Sequence, residues 1–196
     1  MGGRLTPANL LHVPRYALSA DDVEPLRRVW RALRSEGVKK REALGGALRR
    51  FEYSGERCRP EDRLVDLIIA AESLFLDDAG DPQSRGELRY RLALRSAFFA
   101  EMPGLTRRQV FDLMRRAYDT RSSVVHGKIP KSVQLSGEVL PLEEFTDKVE
   151  DLIRTCLTKA VEIAQAETRR KPLLDWDTLI LAESRPSQGG ITPAGH

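Results

Sequence analysis

The stretch "RPEDRLVDLIIAAESLFL", residues 59–76, decides which class of fold this chain can adopt. Pro60 stands at the first position of a helix, where proline is favoured, and Glu61 and Asp62 follow in the first turn, where acidic side chains offset the helix dipole. The run that follows is apolar almost all round and lacks the alternation of a strand that faces water on one side. The stretch therefore predicts a helix buried at the centre of the fold.

The segments on either side of this helix also repeat at the helical period. Ser19 is predicted to cap a helix that ends at Gly37, and Thr106 is predicted to cap a helix that runs to Gly127. Because nearly every periodic segment is of this kind, we expect an all-α fold, a compact bundle of about five to seven helices.

The domain organisation follows from where this pattern starts and stops. Residues 19–183 are predicted to form one helical domain, with a long amphipathic helix over 142–171 and only a short extended stretch within 129–141. Residues 1–18 have no clear periodicity and are expected to be an N-terminal arm or the remnant of a longer chain. Residues 184–196 lack apolar content and are expected to be a disordered tail.

Composition narrows the class of protein further. Of the 196 residues, 41% are hydrophobic and 31% charged, which is typical of a globular protein with a charged surface. No run approaches the roughly 18 apolar residues of a membrane span, and no signal peptide is evident. Cys58 and Cys156 lie far apart, so we expect a cytoplasmic protein with two buried, reduced thiols and no membrane partner.

The charge is unevenly distributed along the chain. Residues 1–60 carry 13 Lys and Arg against 7 Asp and Glu, whereas residues 132–196 carry 7 against 11. A basic half is suited to a phosphate-bearing partner, because each neutralised phosphate releases counterions. An ordinary solvated face explains the same charge, so this feature suggests nucleic acid without establishing it.

Two acidic residues interrupt the central apolar helix. Asp66 and Glu72 must each find a cation or several donors there, because an unpaired buried charge costs several kcal/mol. The three histidines and two isolated cysteines have no metal-ligand spacing, and neither a P-loop nor a dinucleotide-binding motif is present. We therefore expect no metal and no cofactor.

The stretch "YDTRSSVVHGK", residues 118–128, admits two interpretations. In the structural one, Arg121 pairs with Asp66 or Glu72, and His126 is favoured by the dipole at a helix end. In the functional one, His126 moves protons and Arg121 holds a phosphate during phosphodiester cleavage. Residues five apart on a helix point about 140° apart, so the two meet at one phosphate only if the helix ends at His126 or a second copy contributes.

The chain resembles the Apea-like branch of the HEPN superfamily in two stretches. These are "LRRFEYSGERCRPEDRLVDLIIAAESLF" and, one helix later, "YDTRSSVVHG"; the resemblance covers roughly residues 45 to 165. HEPN domains are compact helical bundles, commonly dimeric, and many are metal-independent RNA endonucleases with an R-x4–6-H signature. Here that signature is Arg121-Ser-Ser-Val-Val-His126.

The resemblance implies roles for individual residues. Arg121 and His126 would be the catalytic pair, facing their copies across a two-fold axis. Tyr118 and Ser122 would contact phosphate or orient the pair, and Lys128 would extend the basic rim. The products would carry 2′,3′-cyclic phosphate ends. In active members a polar Asn, Asp or His often follows the arginine, whereas this chain has Ser122.

The resemblance also implies a partner and a setting, and two alternatives stay open. The expected partners are single-stranded RNA, a second copy of the chain, and further domains of a longer polypeptide in a bacterial defence or toxin system. The first alternative is a non-catalytic module whose Arg/His cleft holds RNA or a nucleotide. The second is a helical dimerisation module in which Arg121 pairs with Glu72 and His126 only ends a helix.

Overall fold

The structure is a computed structural model that describes residues 19–77, 87–167 and 174–181. The predicted arm (1–18) and tail (184–196) lie outside the described residues.

The expected all-α fold is confirmed. The described ranges hold eight helices, one more than expected, and one two-stranded sheet. After a 3₁₀ turn at Ala20–Asp22, the elements are α1 Val23–Leu33, α2 Glu36–Lys39, α3 Glu42–Glu56, α4 Pro60–Phe75, α5 Leu88–Phe99, α6 Arg107–Val125, β1 Ser132–Leu135, β2 Glu138–Pro141, α7 Leu142–Ala166 and α8 Trp176–Leu181.

Helix α4 lies at the centre of the bundle, as its sequence predicts. It begins at Pro60 and is packed against α3, α5, α6 and α7. Leu64, Leu67 and Ile68 are fully inaccessible to solvent. Helix α7 closes the other side of the core with an apolar stripe that includes Phe145 and Val149, both fully buried. Just over half of the buried apolar residues in the described ranges lie on these two helices, and burial of apolar surface is the main source of stability of a fold.

The chain between α1 and α3 differs from the prediction. The expected helix end at Gly37 is wrong, because α1 ends at Leu33 and a separate short helix follows, capped by Ser35. Gly37 lies inside this second helix and against α7. A Cβ atom at Gly37 would stand 1.7 Å from the carbonyl oxygen of Ala164. The glycine therefore permits a close helix approach and does not end a helix.

The expected extended stretch is a complete β-hairpin. Strands β1 and β2 pair antiparallel around Ser136 and Gly137, both at positive φ (51° and 92°), as a two-residue hairpin loop requires. Val133 and Leu140 lie directly opposite each other and are both buried. The hairpin contacts α6 and α7, so β1 runs beside the C-terminal half of α6.

Helix α8 docks on the bundle through one aromatic side chain. The ring of Trp176 lies 5.7 Å from that of Phe75 and 6.2 Å from that of Phe99. The expectation of two buried thiols is wrong for Cys58, which is exposed between α3 and α4, whereas Cys156 on α7 is buried. Within the described ranges, no helix is long and apolar enough to cross a membrane.

Candidate functional site at the end of helix α6

Helix α6 carries most of the residues that the sequence analysis singled out. It begins with the predicted cap, in which the Thr106 hydroxyl accepts the backbone N–H of Gln109 and the Gln109 side chain accepts the N–H of Thr106. Val110, Met114 and Ala117 are buried against the core. This buried face fixes the rotation of α6 and therefore the direction in which each candidate residue points.

The end of α6 has a defined geometry. His126 is the C-cap, and Gly127 has a φ of 78°, in the region that favours glycine. The N–H of Gly127 donates to the carbonyl of Val124 and that of Lys128 to the carbonyl of Ser123, both at 2.9 Å. This pair of bonds is a Schellman motif. The positions at which His126 and Lys128 leave the helix are thus set by the backbone.

Arg121 forms a long ion pair with a residue of α4. Its Nη2 lies 3.6 Å from Oε2 of Glu72, beyond ordinary hydrogen-bond distance, and about a quarter of each side chain is exposed. The Nε of Arg121 is buried and has no hydrogen-bond partner. Within the described residues, the guanidinium group therefore has donors that its one carboxylate neighbour does not satisfy.

The environment of Glu72 is unfavourable for its charge. Burial raises the pKa of Glu72 above its ordinary value, and the attraction of Arg121 opposes this rise without cancelling it. Desolvation thus outweighs the single ion pair, as often happens when one partner lies at long range. Arg121 therefore compensates the charge of Glu72 only in part.

Asp66 belongs to a different cluster. Of the two acids left open as partners of Arg121, Asp66 instead pairs with α3: it accepts from Arg57 Nε at 2.7 Å and from Arg50 Nη1 at 3.1 Å. Its side chain is only 4% exposed, whereas both arginines are nearly half exposed. This cluster ties α3 and the residue that follows it to α4, and no ion pair links Asp66 to Arg121 among the residues that the structure describes.

The remaining motif residues spread around α6. His126 is exposed, and no hydrogen bond of its imidazole is found among the described residues. The helix does end at His126, yet by the helical repeat this position still lies about 140° around α6 from Arg121, and no hydrogen bond between the two side chains is found in the described part of the chain. Tyr118 is partly buried against the core one turn before Arg121. Ser122 is partly buried, and its carbonyl accepts the N–H of His126 at 3.2 Å.

Lys128 lies elsewhere, in a groove between α6 and β1. This groove, which we call the α6–β1 groove, has a volume of about 360 Å³ and an open mouth. Arg116 and Ser123 line it from α6, and Ser132 lines it from β1. Arg116 was not singled out from the sequence, and no local signal distinguishes it. Asp112 four residues before it and Asp119 three residues after it are both spaced for an ordinary ion pair along the helix.

No group of three or more His, Cys, Asp or Glu side chains in the described ranges is placed to hold a metal ion. Comparison of the chain with protein-family models, with curated proteins and with solved structures found no match.

Proposed function

We propose that this protein is a metal-independent RNA endonuclease of the HEPN type, acting in the cytoplasm as part of a bacterial defence or toxin system. The observation that best supports the proposal is the state of Arg121, a cation with unsatisfied donors on the helix that ends in an exposed histidine. The sequence resemblance to Apea-like HEPN domains is a second, independent support.

In the proposed reaction, His126 takes the proton of a ribose 2′-hydroxyl, which attacks the adjacent phosphorus. The bond to the 5′-oxygen breaks, and a protonated histidine supplies the proton to that leaving oxygen. The products are a 2′,3′-cyclic phosphate and a 5′-hydroxyl, and no metal or cofactor takes part. Arg121 offsets the charge that develops on the phosphorane, and Tyr118 and Ser122 support its position.

A second copy of the chain completes the proposed cleft. Because Arg121 and His126 lie on faces about 140° apart, the pair that acts on one phosphate contains residues of both copies. Val125 is 59% exposed and stands one turn after Arg121 on the same face of α6. An exposed apolar residue beside a partly exposed arginine is suited to burial against a second copy.

The test is cleavage of end-labelled single-stranded RNA in the presence of EDTA. Wild type should cleave and His126→Ala should not, while the circular dichroism spectra stay equal. Arg108→Met is the matched control, because Arg108 is an exposed arginine at the other end of α6. Retention of full activity by His126→Ala would refute the proposal.

Arg121 is best tested in a Glu72→Gln background. In wild type, removing Arg121 strands a mostly buried carboxylate, so lost activity and lost stability would be confounded. With Gln at position 72 no charge is stranded. Arg121→Met should then abolish cleavage while the protein keeps its stability.

One observation favours a second candidate, a non-catalytic RNA- or nucleotide-binding or dimerisation module. Within the described residues, no neighbour fixes the ring of His126, whereas a general base is normally oriented by a hydrogen bond. This candidate predicts no RNA product from wild type. The binding form of it predicts an affinity that falls steeply with salt. The dimerisation form predicts that the chain is dimeric and does not bind RNA.

A further inference from the structure

The α6–β1 groove presents two cations that the rest of the described chain does not neutralise. Arg116 and Lys128 are exposed, and neither forms an ion pair with a described residue. The nearest acids are engaged elsewhere. Asp112, one turn before Arg116, pairs with Arg108, and Asp119 pairs with Arg89 of α5 at 2.9 and 3.2 Å. The lining of the groove is therefore net positive, although the carboxylate of Asp119 is part of it.

The shape and remaining lining of the groove suit a strand rather than a small enclosed anion. Its volume of about 360 Å³ falls in the range of roughly 300–1,000 Å³ that is usual for ligand sites, and it is open to solvent rather than enclosed. Ile129, which is 54% exposed, and Pro130 add an apolar wall beside the cations. Cations that follow a backbone, next to apolar surface for sugars and bases, are typical of single-strand binding.

The groove lies on the opposite flank of α6 from Arg121. Ser123, which lines the groove, follows Arg121 by two residues. At 3.6 residues per turn, the two side chains therefore point about 160° apart around the helix axis. His126 is three residues after Ser123 and is thus its neighbour on the surface. Lys128 follows His126 by two residues, and its N–H donates to the carbonyl of Ser123 at 2.9 Å. A ligand in the groove would therefore pass the exposed histidine before it met any arginine of the catalytic motif.

We propose that the α6–β1 groove binds single-stranded RNA, with Arg116 and Lys128 each contacting a backbone phosphate. The choice of RNA as the ligand rests on the proposed function, but the binding site is distinct from the Arg121 side of the helix. The groove would hold the strand that His126 of the same copy acts on.

The test is fluorescence anisotropy of a labelled poly(U) oligonucleotide across a salt series. The protein is the full chain carrying His126→Ala, so that cleavage does not interfere. Adding Arg116→Gln and Lys128→Gln should weaken binding at low salt by about tenfold or more. It should also reduce the slope of log K against log salt by about 1.4, since each contact to a single strand contributes about 0.7.

The matched control is Arg28→Gln with Lys40→Gln in the same background. Both side chains are exposed and lie near α1 and α2, and the pair removes the same total charge. The proposal requires that this control keep the slope of the parent. Equal losses in the two double variants would mean that only net charge matters and would overturn the proposal.

Two further outcomes separate this inference from the proposed function. Groove-dependent binding by a wild-type protein that never cleaves RNA would support the binding site and leave the nuclease proposal refuted. Cleavage that is unaffected by loss of Arg116 and Lys128, together with an unchanged slope of log K against log salt, would support the nuclease proposal and overturn the groove as the RNA-binding site. Displacement of the RNA by polyglutamate at equal charge concentration would show that the groove selects acidic chains in general and would overturn recognition of RNA.

Discussion

The pairing of Arg121 with Glu72 makes the effect of Arg121→Met depend on pH. Near neutral pH the substitution removes the cation from a carboxylate that is only 25% exposed. At 3.6 Å and an effective dielectric constant of about 20, the attraction is about 4–5 kcal/mol before further screening. Because both side chains keep some contact with water, we expect the free energy of unfolding to fall by about 1–2 kcal/mol, less than the 3–5 kcal/mol lost when a fully buried pair is broken.

The direction of the pH effect follows from the pKa of Glu72. Burial raises this pKa in the folded protein, and Arg121 opposes the rise. A raised folded-state pKa means that the contribution of Glu72 to stability is complete below its unfolded pKa and is lost as pH rises through the folded pKa. Without Arg121 the pKa rises further. The cost of Arg121→Met should therefore be present near neutral pH and nearly vanish towards about pH 4, where Glu72 is largely protonated in both states.

The assay is urea unfolding followed by the helical circular dichroism signal, at both pH values, with the m-value checked for constancy. Glu72→Gln should be at least as stable as wild type near neutral pH, because it removes a charge that burial disfavours. In that background Arg121→Met should cost much less than in wild type, because no carboxylate is left without its cation. A cost of Arg121→Met that is equal at both pH values, or that persists with Gln at position 72, would refute this account of the pair.

Two further predictions concern single residues. Gly37→Ala should destabilise the protein by several kcal/mol, because the new Cβ would lie 1.7 Å from the carbonyl oxygen of Ala164. The control is Gly55→Ala, where no atom lies within 4 Å of the new Cβ. In urea unfolding, the control should raise the free energy of unfolding by about 0.5–1 kcal/mol. One thiol per native chain, that of Cys58, should react with Ellman's reagent, because Cys156 is buried and its pKa is raised to about 12. Two thiols that react at equal rates without denaturant would contradict this.

The parts of the fold that could be predicted are those in which local chemistry and tertiary packing agree. Pro60 at the first position of α4 and the Thr106–Gln109 cap of α6 are visible in a window of a few residues. The apolar stripe of α7 is equally local, since its period alone defines the buried face. In such elements, tertiary packing favours the same conformation as the local sequence does.

The features that were missed depend on partners distant in sequence. Gly37 has the appearance of a helix stop, but its reason is a carbonyl oxygen on α7. The pairing of Arg121 with Glu72 rather than Asp66, which the sequence left open, depends on how α3 crosses α4, because Arg50 of α3 and Arg57 directly after it reach Asp66. No rule about the spacing of residues along the sequence predicts how two helices cross.

The same limit applies to the α6–β1 groove. It exists because a short hairpin folds back beside α6, and its positive lining exists because Arg89 of α5 neutralises Asp119. In the sequence, Arg116 is an ordinary surface cation, and Lys128 was singled out only as an extension of the basic rim at the Arg121–His126 motif. Only the folded chain places them on one surface.

The arrangement around α6 also predicts how the two proposals would separate in kinetics. A helix with its side chains is about 10 Å across, and the groove and Arg121 lie on opposite flanks of it. Under these proposals a strand in the groove meets His126 of its own copy, whereas the arginine on its phosphate comes from a second copy. Losing the groove cations should then remove binding that substrate and transition state share, so the KM for RNA should rise while kcat is kept. Disrupting the proposed two-fold contact at Val125 should remove the second copy's arginine from the transition state, so kcat should fall while RNA still binds.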